Sequence, residues 1–272
     1  MNEISLYWYN NKINFGDILS PIIIEYLSGL KCKYSVDKNK LISLGSILDK
    51  SHPILPNDII WGSGCRGIYY IHNDIDVRLV RGPLTRNTLL KYNIACPQKY
   101  CDPGVLTPFI FNINLNENIT NEMLFLLHFN DRKYYNLNIL IKNFENKNIP
   151  YIFMDTDNIQ YILSKIAASK YVISSALHGI IVSECMGKPT AYLRLRNKEP
   201  VFKYTDYYLG SNRLNSDIKV TDWTKHIDFN NITYIKKPKI DFKNLIESFP
   251  YQLKDENIIN KIIAYYDQIN II

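Results

Sequence analysis

Short β-branched runs alternate with segments of helical periodicity along most of this chain, and nothing else limits its fold so strongly. Ile4–Tyr9, Leu41–Leu44, Ile59–Trp61 and Val77–Val80 read as strands. Between and after them, helices are predicted over Asp17–Leu27, with Pro21 in the first turn, and from Pro83 to Tyr92. The pattern lapses into a polar, asparagine-rich stretch at Phe111–Asn121 and then resumes. Strands are predicted at Met123–Phe129, Tyr151–Met154, the run ending in Ser174-Ser175, and Pro189–Leu195. Helices are predicted at Leu137–Asn146, Ile159–Ala168, and from Ile180 to Gly187. Such alternation implies parallel sheets with helices on both faces. The expectation is an α/β chain with two Rossmann-like domains facing each other across a cleft. Residues 1–115 would form the first, joined by an amphipathic C-terminal helix over 256–268. Residues 120–255 would form the second.

The bulk numbers suit that expectation. The chain has 272 residues, long for one compact core. Its composition, 46% hydrophobic and 21% charged, is that of a soluble globular protein. The net charge of +6 comes without a block of like charges, which argues against a nucleic-acid partner and suits an anionic ligand or a membrane surface. Five cysteines, at 32, 65, 96, 101 and 185, show neither CxxC pairs nor zinc spacing, so reduced thiols and a cytoplasmic location are expected. The start of the chain has no signal-like apolar core, and no apolar stretch approaches the length of a membrane span.

The chemistry-bearing residues cluster where strands end. His178 lies in Ser174-Ser-Ala-Leu-His-Gly179, at a strand-to-helix turn. Ligands of open α/β sheets bind beyond that edge, and a histidine there exchanges protons beside helix-start N–H groups that attract anions. A loop-tying imidazole is the plain alternative. Asn14-Phe-Gly-Asp17 follows the first strand, and Asp17 is either a helix cap or a carboxylate for a substrate hydroxyl. Gly45-Ser46 and Gly62-Ser-Gly64 follow short strands and suit backbone contacts to phosphate or sugar, or simply tight turns. With no Walker loop and no GxGxxG, nucleotide triphosphates and dinucleotides are not expected. Arg81 ends a strand just before Pro83 opens a helix, a good position for a carboxylate or phosphate. Arg86, one turn later, points at the same site or into solvent. Asp102-Pro103-Gly104 reads as a turn. His128, Asp131 and Arg132 close another strand, and Lys203 and Asp206 follow the strand at 189–195.

In order and spacing this set resembles the polysaccharide pyruvyl transferase family. The matching pieces are Asn14-Phe-Gly-Asp17, Gly45-Ser46, Trp61-Gly-Ser-Gly64, Val80-Arg-Gly-Pro-Leu-Thr-Arg86, Asp102-Pro103, His128 with Asp131, Ser174-Ser-Ala-Leu-His-Gly179, and Lys203 with Asp206. The resemblance implies a fold like that of GT-B glycosyltransferases. It also implies transfer of the enolpyruvyl carbons of phosphoenolpyruvate onto two sugar hydroxyls, giving a pyruvate ketal in a cell-surface polysaccharide or its precursor. One departure stands out: Ala176 occupies the position where some members carry an arginine.

Phosphoenolpyruvate carries a carboxylate and a phosphate, and its reaction needs an acid, a base and cations. His178 is the expected acid and Asp17 the leading base. Arg81, Arg86, His128, Ser175 and Lys203 are expected at the donor, and Asn14, Asp131 and Asp206 at the acceptor. Neither a metal nor any cofactor beyond the donor substrate is expected. The acceptor would be a sugar, for example on a lipid-linked oligosaccharide, with the protein working at the inner face of the membrane. Twenty-one tyrosines supply rings that stack on sugars, although their first use is as core and surface filler. Two other readings use the same features: a GT-B glycosyltransferase acting on a nucleotide sugar, and a non-catalytic glycan-binding subunit of an assembly complex.

Overall fold

The computed structural model describes residues 3–67, 72, 74–115, 118–198 and 200–271. Strands β1 (Glu3–Tyr7), β2 (Lys31–Tyr34), β3 (Leu41–Ile42), β4 (Ile59–Trp61) and β5 (Asp76–Leu79) form one sheet in the order β2-β1-β3-β4-β5. Strands β6 (Asn121–Leu127), β7 (Tyr151–Phe153), β8 (Ser169–Ser174), β9 (Thr190–Arg194) and β10 (Thr221–Asp222) form the other, in the order β10-β9-β8-β6-β7. Every pairing between these strands is parallel. The α/β class with two parallel sheets is therefore as expected. The division expected between residues 115 and 120 falls partly on residues 116 and 117, which lie outside the described residues.

The helices are α1 (Phe15–Ser28), α2 (Pro83–Lys91), α3 (Thr107–Ile110), α4 (Leu137–Asn146), α5 (Ile159–Ala167), α6 (Leu177–Glu184), α7 (Phe202–Gly210), α8 (Phe242–Glu247) and α9 (Ile258–Asp267). Helix α1 begins two residues before its predicted start. Asn14, in extended conformation, caps it, its side chain accepting from the Gly16 N–H at 3.3 Å. The Phe15 N–H donates to the Met154 carbonyl at 2.9 Å, so the end of β7 satisfies a second orphan donor. Pro21 consequently sits beyond the first turn, where it has no N–H to offer the Asp17 carbonyl. At the other end Gly29, with φ 73°, closes the helix in the left-handed region.

Elements that sequence periodicity did not indicate are short or polar. Strand β2 is an edge strand, Lys-Cys-Lys-Tyr, with no buried residue and hence no alternation to detect. Helix α7 forms in the segment read only as a charge cluster, because Tyr204, Tyr207 and Tyr208 bury one face of it.

The largest cluster of buried side chains draws on both sheets. Ile4, Leu6 and Leu41 from the first and Leu124, Leu126 and Val172 from the second belong to it, with Leu245, Ile262 and Tyr266 from α8 and α9. Each fully buried Leu or Ile contributes about 1.5–3 kcal/mol relative to exposure. Polar pins fix the two C-terminal helices to the first sheet's side. The Trp61 Nε1–H donates to the Leu245 carbonyl at 3.1 Å, and the Tyr265 hydroxyl to the Ile113 carbonyl at 2.7 Å. Among the described residues no helix is long and apolar enough to cross a membrane.

Candidate active site

One cavity of about 610 Å³ opens where strands of both sheets end. The segments after β1, β3, β6, β7, β8 and β9 all contribute to its wall. Parallel strands point their carboxyl ends the same way, so loops with unrelated sequences converge there. Such convergence is what makes the chemistry-bearing residues of a doubly wound chain follow its strands.

At the floor lies His178. It was expected in the turn ahead of a helix, yet α6 starts at Leu177 and His178 stands in the first turn. Ser174 causes the early start. Its hydroxyl donates to the Leu126 carbonyl at 2.9 Å and accepts from the Ala176 N–H at 3.0 Å, bending the chain directly after β8. The imidazole of His178 packs against Gly16 of α1. A Cβ built on Gly16 would lie 1.9 Å from Nδ1, so any side chain at position 16 would displace the ring. On its other side, Nε2 faces Asp102 Oδ1 at 3.6 Å. The Asp102 side chain is fully buried, and His178 keeps 11% exposure. Neither Nε2 nor Asp102 Oδ2 has a hydrogen-bond partner. The Asp102 carboxylate thus stands as a counter-charge beside this ring.

Asp17 occupies the third position of α1 and lines the same cavity. Asn14 Nδ2–H donates to its Oδ2 at 2.5 Å. Asn14 is thus the cap, and the cap reading of Asp17 is set aside. Burial raises the Asp17 carboxyl to about 6, against the pull of His178, the Asn14 hydrogen bond, Lys203 and Arg66. A carboxylate in that range is still largely ionised at neutral pH and is basic enough to take a proton from a reacting hydroxyl.

Residues 14–197 match the family described as polysaccharide pyruvyl transferase. The chain belongs to the polysaccharide pyruvyl transferase family. No curated protein matches it. A crystal structure of a functionally uncharacterized protein from Klebsiella pneumoniae subsp. pneumoniae NTUH-K2044 is similar, with 14% identity and a TM-score of 0.47, over 81% of this chain and 92% of that one.

Several cations reach the cavity. Lys203 lines it from the first turn of α7, largely buried, with its ammonium 5.0 Å from the Tyr204 ring centre. His128 lines it too. The His128 Nδ1 accepts from the Asn130 N–H at 3.2 Å, so the proton of the neutral ring belongs on Nε2. Asp131 and Ser175 stand one layer behind. The Ser175 hydroxyl donates to Asp131 Oδ2, and the His128 N–H lies 3.0 Å from both groups. Asp131 also accepts from Arg196 Nε–H at 2.9 Å, and Arg196 reaches the cavity wall. Asp131 and Ser175 therefore hold His128 and Arg196 in place and are not themselves part of the wall.

Arg81 and Asp206 are placed otherwise than expected. Both are fully buried and bind each other, Arg81 Nε–H to Asp206 Oδ2 at 3.2 Å. The remaining guanidinium contacts go to Ser46 Oγ at 2.6 Å and the Cys65 carbonyl at 2.9 Å. Thr85 closes the group, its N–H and hydroxyl donating to Asp206 at 2.9 and 2.6 Å. Gly64 leaves room for the guanidinium, since a Cβ there would lie 2.3 Å from its Cζ. Neither residue of the pair lines the cavity. A guanidinium and a carboxylate that are both desolvated satisfy each other first. Arg86 likewise turns away, its Nε–H donating to the Cys96 carbonyl at 3.1 Å. Arg81 touches the cavity at one remove, through Ser46.

Sequence reasoning counted Asp102-Pro103 among the pieces of the family pattern but gave Asp102 no site role beyond a turn former. It does form that turn, with Oδ1 accepting from the Gly104 N–H at 2.9 Å, and it faces His178 as well. Arg66, Arg196, Lys198 and Tyr9 also line the cavity without having been singled out. Arg196 and Lys198 had a usable signal, because they follow β9 just as His178 follows β8. Among the described residues, no group of three His, Cys, Asp or Glu side chains is placed to hold a metal ion.

Proposed function

We propose that this protein transfers the enolpyruvyl group of phosphoenolpyruvate to two hydroxyls of a sugar, forming a pyruvate ketal and releasing phosphate. The sugar belongs to a cell-surface polysaccharide or its precursor, in keeping with the family. The observation that carries the reading is the meeting of His178, Asp17, Lys203 and Arg196 in one cavity. It supplies one proton donor, one carboxylate raised to about 6, and cations for a strongly anionic donor.

In this reading Lys203, Arg196, Lys198 and His128 hold the carboxylate and phosphate of the donor, in place of Arg81 and Arg86. Imidazolium His178, stabilised by Asp102, protonates the methylene carbon. A sugar oxygen bonds to the neighbouring carbon as Asp17 accepts its proton. Phosphate leaves with the C–O bonding pair, and the second hydroxyl adds to the same carbon to close the ring. Of the two hydroxyl protons, one replaces that given to the methylene carbon and the other leaves with phosphate. The reading asks for neither a metal nor a redox cofactor. It puts the protein in the cytoplasm, at the inner face of the membrane where the acceptor is lipid-linked, with no nucleic-acid partner.

The test is incubation with phosphoenolpyruvate and a panel of diol-bearing glycans. Phosphate release together with glycans heavier by one pyruvyl ketal is expected. A new glycosidic bond formed from a nucleotide sugar would overturn the reading. So would glycan binding without turnover on any acceptor.

A further inference from the structure

Besides the groups that the proposed reaction uses, the cavity carries a cluster of rings that it does not use. The segments after β6, β8 and β9 bring His128, His178, Arg196, Lys198 and Lys203. Into the same cavity, β1 and the loop after β3 bring Tyr7, Tyr9 and His52. These three rings form one aromatic group. His52 meets Tyr7 edge-on at 5.9 Å and Tyr9 edge-on at 6.2 Å between ring centres. The Tyr7 hydroxyl lies 2.9 Å from His52 Nδ1. Burial pushes the Tyr7 phenol up to about 12 and the His52 imidazole down from its ordinary value. Tyr7 is thus the donor in that hydrogen bond, His52 is neutral, and its own proton belongs on Nε2.

A cluster of rings is a poor surface for a small trianion. A pyranose matches it: one face presents axial C–H bonds to a ring, while the edges present hydroxyls to polar side chains. Polar partners accompany the rings, since Asn14, Ser51 and Arg66 line the same cavity. Arg66 is held there by Asp49, with NH2 to Oδ2 at 2.8 Å, and that carboxylate offsets its charge. Asp17 lines the same cavity, and its carboxylate acts electrostatically on Tyr7 as well as on His178 and Lys203. A hydroxyl of a sugar lying on Tyr9 would share this cavity with the base.

The geometry points to Tyr9 and His52, backed by the buried Tyr7, as the acceptor subsite, taking a neutral pyranose ring by stacking. This inference rests on the proposed reaction for the identity of the bound sugar, and it replaces Asp131 and Asp206 as acceptor contacts.

Tyr9 is the residue to vary, being half-buried and outside the Tyr7–His52 hydrogen bond. Saturation-transfer NMR with methyl hexopyranosides alone, without phosphoenolpyruvate, reads the subsite directly. The wild-type protein should transfer saturation to ring C–H protons, Tyr9→Phe should retain the effect, and Tyr9→Ala should lose most of it. In turnover, Tyr9→Ala should raise the acceptor KM about three- to tenfold, the scale of one stacking contact, with the donor KM unchanged. Equal glycoside binding by wild type and Tyr9→Ala would overturn the assignment, as would a rise in donor and acceptor KM together. Because the NMR measurement needs no turnover, a protein that releases no phosphate with any acceptor sinks the proposed reaction and leaves the subsite to be judged separately.

Discussion

His178 Nε2 and Asp102 Oδ1 face each other across 3.6 Å of interior that water does not reach. The gap is too long for a hydrogen bond, so Nε2 is left without a partner, while Asp102 Oδ1 already accepts from the Gly104 N–H. A small shift of the ring would close it, and proton exchange at the other nitrogen rewards that shift. Asp102→Asn keeps the acceptor for the Gly104 N–H but removes the counter-charge for imidazolium. Turnover should fall at least about tenfold, within the range that general acid catalysis supplies. Donor KM should stay within about twofold, because Asp102 touches no substrate in the proposed arrangement. Steady-state kinetics check both. Loss of kcat with unchanged KM marks a positioning residue.

Gly16 and His178 are in van der Waals contact, so a single methyl group separates fold from chemistry. Alanine at the second position of α1 is a better helix former than glycine. Its Cβ, however, would overlap the imidazole, and the ring would have to move. Gly16→Ala should leave the melting temperature within a few degrees and lower turnover by on the order of a hundredfold, the effect of a misplaced catalytic group. Thermal melts and kinetics on one preparation decide it.

Asp17 links activity and stability with opposite signs. Its folded value of about 6 exceeds the ordinary 3.8, so the native state binds the proton more tightly than the unfolded chain does. The stability this contributes is present below about pH 4 and lost as pH rises through 6. Asp17→Asn removes a desolvated charge. At pH 7 the variant should be at least as stable as wild type, by on the order of 1–3 kcal/mol, with the difference vanishing near pH 4. Its turnover should be lost. In the wild-type protein the acid limb of kcat should bend near pH 6. Denaturant melts at the two pH values, beside a pH–rate profile, test the sign.

Arg81 and Lys203 exchange the roles that their residue types suggest. Arg81→Ala strands the Asp206 carboxylate in the interior and should destabilise the protein by about 3–5 kcal/mol. Lys203→Ala should leave the fold intact and raise the donor KM by about tenfold, the scale of a charge-assisted hydrogen bond. Calorimetric binding of phosphoenolpyruvate and thermal melts on both variants separate the two.

Residues close together along the chain had already determined much of this. The 2-and-3.6 alternation called for parallel sheets, because a strand and the helix after it bury their apolar faces with periods that any window reveals. The same windows put His178, Asp17, His128 and Lys203 beyond strand ends, where parallel sheets gather their loops. Polar edges escaped them. Strand β2 buries no residue, and α7 hides its tyrosines among charges. Pairings across the fold were decided only by tertiary structure. Arg81 and Asp206, 125 positions apart, each look like a ligand contact in isolation, and the packing of α7 on α2 turns them into partners for each other. Asp102 is a complete turn former on local evidence, and becomes the counter-charge of His178 only when α6 is laid beside that turn. Tyr9 and His52 belong to separate loops until β1 and β3 pair and bring them together. A side chain's intrinsic chemistry is local, but whether its charge or ring is spent inside the protein or offered to a substrate depends on what desolvates it, and long-range packing alone sets that.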